Sequence, residues 1–478
     1  MDGGEGCQPE AVAPQSYVQE WMSTGKRACP NPGWNMLLPW RLSGPLDRAA
    51  LLDGLDEVVR RHEVLQTTFA DSEGRPVQVI HPHRPLDLEL IDLRSLPEPG
   101  RVAELHRLAR ARHGLALDHE RGPLLAGVVV RATDGDTFLL LTVDHAVCDG
   151  WSIGVLLAEL TAFYNGVVGG RGVRLWELPL QFRDYAAGQR RLAAEGGYDE
   201  QLAWWERRLA PEPAPLGLAY GAPPARPPDR PSDGPPDGPP GGSPGASSGG
   251  PSEVDGYRSA QHPLVVPADV AARLRALGQR SRTTLFATLL AGLSAALARR
   301  DGSGDVAVTT LVAGRKAEHQ RLIGMFANPL VLRTSVAGAG TFGGLLDRVR
   351  RGVLEAYGRQ DVPFPLVADR AGVRAAQVWL NVALRPALAR FRGIAVDTQA
   401  LPRDYPIDVP AAGWRGETLI CNLADTGDEI AGLIDYNTAQ VGAEAVRELA
   451  DDLLAQLRDA AGDPARPLPA IGDRPPLY

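Results

Sequence analysis

Lysine is almost absent from this chain of 478 residues: it occurs only at Lys26 and Lys316, so arginine supplies nearly all the positive charge. With a formal net charge of −8, a basic surface of the kind that nucleic acid needs is not expected. Cysteine is scarce too. Cys7, Cys29, Cys148 and Cys421 are scattered, with neither metal-site spacing nor a disulfide framework, so a reducing cytoplasm is the expected compartment. Cys148 reads as a small buried residue, not a nucleophile, because no second base accompanies it. Long apolar runs are missing. Leu285 to Leu297 is too short to span a bilayer and carries Ser294, and Met1 to Glu20 is acidic and polar without the apolar core of a signal peptide. Neither membrane nor nucleic acid is therefore expected as a partner.

What remains is the composition of an ordinary globular protein, 44% hydrophobic and 23% charged, long enough for two or three domains. Pro223 to Pro251 is dominated by Pro, Gly, Ser and Asp, which cannot bury a core and reads as a flexible, disordered linker. The chain thus divides into a first lobe over 1–210, a linker over 211–257 and a second lobe over 258–478. Hydrophobic periodicity predicts helices at 48–61, 102–113 and 153–166, then at 268–279, 284–299, 342–357 and 443–460. Strands are predicted near 34–42, 77–80, 124–130 and 138–143, then near 306–312, 330–334, 377–384, 419–423 and 429–436. Strand and helix alternate in each half, which predicts two α/β lobes.

One run carries more chemistry than the rest. The apolar strand Phe138 to Val143 leads into Asp144-His145-Ala146-Val147-Cys148-Asp149-Gly150-Trp151-Ser152, and a helix follows. A histidine at the end of a buried strand, with an aspartate four residues on and then a glycine, can serve as a base held by a tight turn. Acyl transfer to an amine or alcohol requires such a group, since the nucleophile loses a proton as it attacks and histidine titrates near the working pH. The structural alternative is a satisfied histidine beside a turn.

Further runs resemble the ordered motifs of the condensation domain of nonribosomal peptide synthesis, in the chloramphenicol acetyltransferase-like superfamily. They are Ser16 to Met22, Trp40 to Asp47, Arg61 to Phe69, Asp144 to Gly150, Phe182 to Ala186 and Trp204-Trp205 in the first half. The second half adds Val312 to Arg315, Ile323 to Arg333, Gln360 to Phe364 and Asp435 to Thr438. The resemblance implies two acetyltransferase-like lobes set as a V-shaped pseudo-dimer with the active site in a tunnel between them. It implies His145 as the base or positioner, with no metal and no cofactor of the protein's own. The phosphopantetheine arm would come from an acyl-loaded carrier protein. Asp149 would pair with Arg315 or Arg61, and the fork of a guanidinium suits a carboxylate. Gly150 would allow a close backbone approach, and an amide at the turn could hold a developing oxyanion. Trp151, Ser152 and Asn328 are candidates for the substrate channel, though Ser152 could cap the following helix and Asn328 could be structural.

Three departures stand out. Asp144 replaces the first histidine of the motif, Gln66 replaces an arginine, and 403–425 fits poorly. If the pleat continues to the turn, Asp144 points away from the face of His145. Buried there it would need partners, for which Asn328 and Arg333 are candidates.

The reading favoured is a free-standing condensation enzyme working in trans, since no adenylation or carrier motif is found. It would join an acyl or aminoacyl group to an alcohol or amine, giving an ester or amide, and a second carrier protein is the lesser acceptor. Relatives that acylate enediyne cores use small soluble acceptors. The alternatives are a coenzyme A-dependent acyltransferase and a catalytically silent recruitment domain.

Overall fold

Asp47, Asp149, Thr284 and Thr341 each accept a backbone N–H from the first turn of the helix that follows them. Such caps satisfy donors that a helix start leaves without partners, and they fix where the helices begin. The computed structural model describes residues 10–28, 35–173, 175–211, 259–302, 304–374, 376–384, 390–398, 418–438 and 440–472. Apart from Pro211, the expected linker lies outside the described residues, as does the poorly fitting segment before Thr418.

The predicted helices are present at Arg48–Arg61, Glu98–His113, Gly150–Val168, Ala268–Arg280, Leu285–Asp301, Phe342–Tyr357 and Ala443–Gly462. Tyr17–Ala28, Phe182–Ala194, Asp199–Leu209 and Phe364–Ala371 are helices too. Gly150–Val168 has the length and hydropathy of a membrane span, yet Leu156, Leu160 and Tyr164 are buried in the first lobe's core, and Glu159 is tied into an ion pair.

Among the described residues the strands form three sheets. One, of five strands, runs in the order Ala395–Asp397, Asn35–Ser43, Asp136–Asp144, Leu125–Arg131 and Glu89–Asp92. Another, of six, runs Asn328–Ser335, Asp305–Val312, Val378–Leu384, Leu419–Asp425, Ile430–Asn437 and Ser259–Val266. A small third sheet joins Ala11–Pro14, Arg75–Ile80 and Thr67–Ser72. Asp136–Asp144 is central to its sheet and buried over most of its length, with Asn35–Ser43 antiparallel on one side and Leu125–Arg131 on the other. Its apolar run is that of a strand covered on both faces.

The fold is therefore α/β with two lobes, but the cores do not stop at the linker. Trp205 and Leu209 pack with the second lobe's Leu264, Leu290 and Leu332. Conversely, Ile323, Phe326, Trp379 and Phe391 pack with the first lobe's Leu141, Ala146 and Leu160. The short strand Ala395–Asp397 comes from the second half and pairs with Arg41 to Ser43 of the first.

Candidate functional site

The central strand ends at Asp144, and His145 opens a single 3₁₀ turn, His145–Val147, before the helix Gly150–Val168. His145 is half-buried between two fully buried neighbours, Asp144 and Ala146. The turn brings together three of the residues picked from the sequence: His145, Asp149 and Gly150.

Asp149 is buried and its carboxylate is crowded with donors. Its Oδ1 accepts from Arg315 Nη2 at 2.8 Å, from the Ser152 amide at 2.8 Å and from Ser152 Oγ at 2.7 Å. Its Oδ2 accepts from the amides of Phe326 and Ala327 at 3.1 and 3.2 Å. Arg315 in turn gives Nη1 to the carbonyls of His319 and Leu322 at 2.8 and 2.7 Å, and its guanidinium lies 4.1 Å from the centre of the Phe326 ring. Burial pulls the pKa of Arg315 down, and the Asp149 charge opposes that. The loop accommodates this because Gly314 sits at φ +60°, where a side chain would run into the carbonyl of Phe326 at 2.1 Å.

Of the two arginines offered for Asp149, Arg315 is the partner. Arg61 binds Glu159 instead, at 3.1 Å, and the carbonyl of Trp176. His62 completes that second network. Its Nδ1 accepts from the Ile323 amide at 3.4 Å, which leaves Nε2 to donate to Glu159 at 3.0 Å.

Ser152 does not cap the helix; Asp149 does, and Ser152 donates to it. With its hydroxyl also accepting from the Gly324 amide at 3.0 Å, Ser152 is fully buried and is not a channel residue. Trp151 is half-exposed and donates to the Gln320 carbonyl at 2.9 Å. Gly150 is exposed, and among the described residues a methyl group there would meet nothing within 4 Å. Asn328 borders a cavity of 470 Å³ together with Tyr185, Gln189, His319 and Asp361; His145, Trp151 and Ser152 are not in its wall. The Asn328 amide is already engaged, by the carbonyls of Gln360 and Val362 at 3.0 and 2.8 Å and the Phe364 amide at 2.8 Å.

The expected partners of Asp144 are corrected. Arg333 binds Asp305 and Asn328 is held as above, so neither serves Asp144. Its Oδ2 meets Lys26 Nζ at 2.5 Å and His119 Nε2 at 2.9 Å, and its Oδ1 accepts the Ala146 amide at 2.9 Å. Burial works against the charge of Asp144, but the His119 and Lys26 bonds outweigh it and hold the carboxyl below its ordinary range. Lys26 and His119 were not singled out in the sequence, where only the rarity of lysine marked Lys26. Cys148 is fully buried, and burial beside Asp149 pushes its thiol far up, which makes it inert as a nucleophile.

The condensation-domain family model matches residues 10–234 and 248–386. A linear gramicidin synthase of Brevibacillus parabrevis is 32% identical over 467 residues, which cover 96% of this chain and 8% of that protein. The phosphinothricin tripeptide synthetase PhsC of Streptomyces viridochromogenes is 32% identical over 92% of this chain and 38% of its own length. The chain thus spans a small part of these relatives. Among solved structures, the X-domain from teicoplanin biosynthesis superposes with a TM-score of 0.76 at 23% identity, covering 96% of this chain and 97% of that one. The SgcC5 protein of Streptomyces globisporus gives 0.74 at 23% identity, over 95% and 100%. At these identities the structures support the fold alone.

Proposed function

Because this chain belongs to the condensation-domain family, we propose that it joins an acyl or aminoacyl group from a carrier-protein thioester to an alcohol or amine. The observation that carries the reading is the placement of His145, half-buried on a turn whose flanks are fixed by ion pairs. The acceptor oxygen or nitrogen attacks the thioester carbonyl as its proton passes to His145. The carbon–sulfur bond then breaks, and the proton goes on to the departing thiol of the phosphopantetheine arm. The Ser152 amide is taken by Asp149, so the amides of Gly150 and Trp151 at the start of the helix Gly150–Val168 would be the donors for the oxyanion. Donor and acceptor would enter a tunnel between the lobes from opposite faces. We take the chain to act in trans as a free-standing enzyme, cytoplasmic, on a small soluble acceptor, with no cofactor of its own. A carrier protein loaded with a set of acyl groups, offered with a panel of amines and alcohols, tests this. Ester or amide product is expected with wild type, and its absence across the panel would overturn the reading.

A second reading, a silent recruitment domain, is favoured by one observation: Asp144 stands where the family motif has histidine. A teicoplanin X-domain of the same fold has been solved in complex with OxyB. Binding of a partner protein without any transfer would support it.

A further inference from the structure

We propose that Lys26 is a positioning residue for the site: through its buried ion pair with Asp144 it holds the turn that presents His145. The inference rests on the acyl-transfer reading above and assigns to it a residue outside the motif.

The argument begins on the helix Tyr17–Ala28. Gln19, Met22, Ser23 and Lys26 follow the spacing of one helical face, and Gln19, Met22 and Ser23 are buried. That face meets the catalytic turn at two places. Gln19 Nε2 donates to the Ala146 carbonyl at 3.2 Å. Lys26 Nζ binds Asp144 Oδ2 at 2.5 Å, and Asp144 Oδ1 accepts the Ala146 amide at 2.9 Å. Both backbone groups of Ala146 are therefore fixed from one helix, one directly and one through Asp144. His145 lies between the two residues so held.

Charge makes the pair interdependent. The Asp144 side chain is 0% exposed and that of Lys26 12%. A neutral side chain at 144 would need no cation, whereas a carboxylate at full burial does. His119 shares the same oxygen at 2.9 Å, so both side chains support the buried carboxylate, and Lys26 is the one carried by the helix that also holds the Ala146 carbonyl. Without Lys26, Asp144 would take a proton or turn towards water, and in either case its bond to the Ala146 amide would change. Lys26 thus compensates within this chain for an acid at the motif position. The chain has only one other lysine, Lys316, and that one lies beside Arg315 in the second lobe.

Paired substitutions test it, read in two ways: kcat and KM on the fastest donor–acceptor pair of the panel, and the rate at which diethyl pyrocarbonate modifies His145, followed by mass spectrometry. All variants are compared at a temperature where each is fully folded. Lys26→Met should lower kcat roughly tenfold with KM little changed, and should alter the His145 modification rate. Lys26→Arg should retain most of the activity. Lys26→Met combined with Asp144→Asn should return both readouts to within about threefold of wild type, because Asn keeps the acceptor for Ala146 and no charge is left unbalanced. Should the single variant fail to fold, the double variant compared with Asp144→Asn alone carries the same test. A folded Lys26→Met protein with wild-type kcat and labelling would overturn the proposal, and so would additive losses in the double variant. A wild-type protein that gives no product across the panel would instead overturn the acyl-transfer reading, while the labelling experiment would stand independently.

Discussion

Arg315 reaches from the second lobe to Asp149 at 2.8 Å, and the two side chains are 2% and 1% exposed. This pair joins the lobes at the root of the turn that carries His145. Replacing Asp149 by alanine leaves a buried guanidinium without its counter-charge and two lobe-crossing amides without their acceptor, and should cost on the order of 3–5 kcal/mol. Urea unfolding measures it. An unchanged midpoint with lost turnover would mean that Asp149 acts on His145 directly. Arg315→Lys should not restore stability, since one ammonium cannot reach the carboxylate and the carbonyls of His319 and Leu322 together.

His145 should separate activity from stability in the opposite way. His145→Ala is expected to lower turnover roughly a hundredfold, the scale of losing a general base, while leaving the melting temperature unchanged. Wild-type rates in the folded variant would remove it from the mechanism.

Asp144 gives a pH dependence whose sign is fixed. Its carboxyl is held below its ordinary range by His119 and Lys26 against the opposing effect of burial. A group with a depressed folded pKa stabilises the fold above its unfolded pKa, and that stability disappears as pH falls through the folded value. Wild type should therefore exceed Asp144→Asn in stability at pH 7, and the gap should close below about pH 4. Denaturation midpoints of both proteins across this range are the check; a gap that widens in acid would contradict the ion pair.

The thiols of Cys148 and Cys421 should be silent. Cys148 and Cys421 are both fully buried, and burial pushes Cys421 up to about 12 and Cys148 higher still. Neither should be alkylated by iodoacetamide in the native protein at pH 8, as read by peptide mass spectrometry, and both should react in urea. Rapid native labelling of Cys148 would show that the motif turn opens.

The turn itself was legible in the sequence because its information is local: an apolar strand, a histidine, and an acid followed by a glycine ahead of the next helix. The family resemblance offered two arginines for Asp149, and only three-dimensional packing chose between them, since Arg61 is claimed by Glu159 on the neighbouring helix. The partners of Asp144 were not legible. Lys26 lies 118 residues away and His119 lies 25 away, and neither has a periodic pattern that points to the strand end. The pleat argument used for Asp144 also meets its limit there, because the strand stops at Asp144 and His145 already belongs to a 3₁₀ turn. The amides of Phe326 and Ala327 escaped notice for a simpler reason: backbone donors leave no mark in side-chain identity. Ser152 was misplaced as a cap because two capping residues stood three apart, and the one nearer the strand took the role.

The strand Ala395–Asp397 has a consequence for recombination. Three residues from the second half complete a sheet of the first, and Phe391 and Ile394 close over its core. In exchange, Trp205 and Leu209 are buried in the second half's core. A chimera that swaps lobes at the Pro- and Gly-rich divide would thus graft a foreign clasp onto one parent's sheet and a foreign helix into the other's interior. Viable crossovers must carry 391–397 with the lobe that they fasten, and 199–209 with the lobe that they fill. The natural unit of inheritance here is the interlocked pair, not the half.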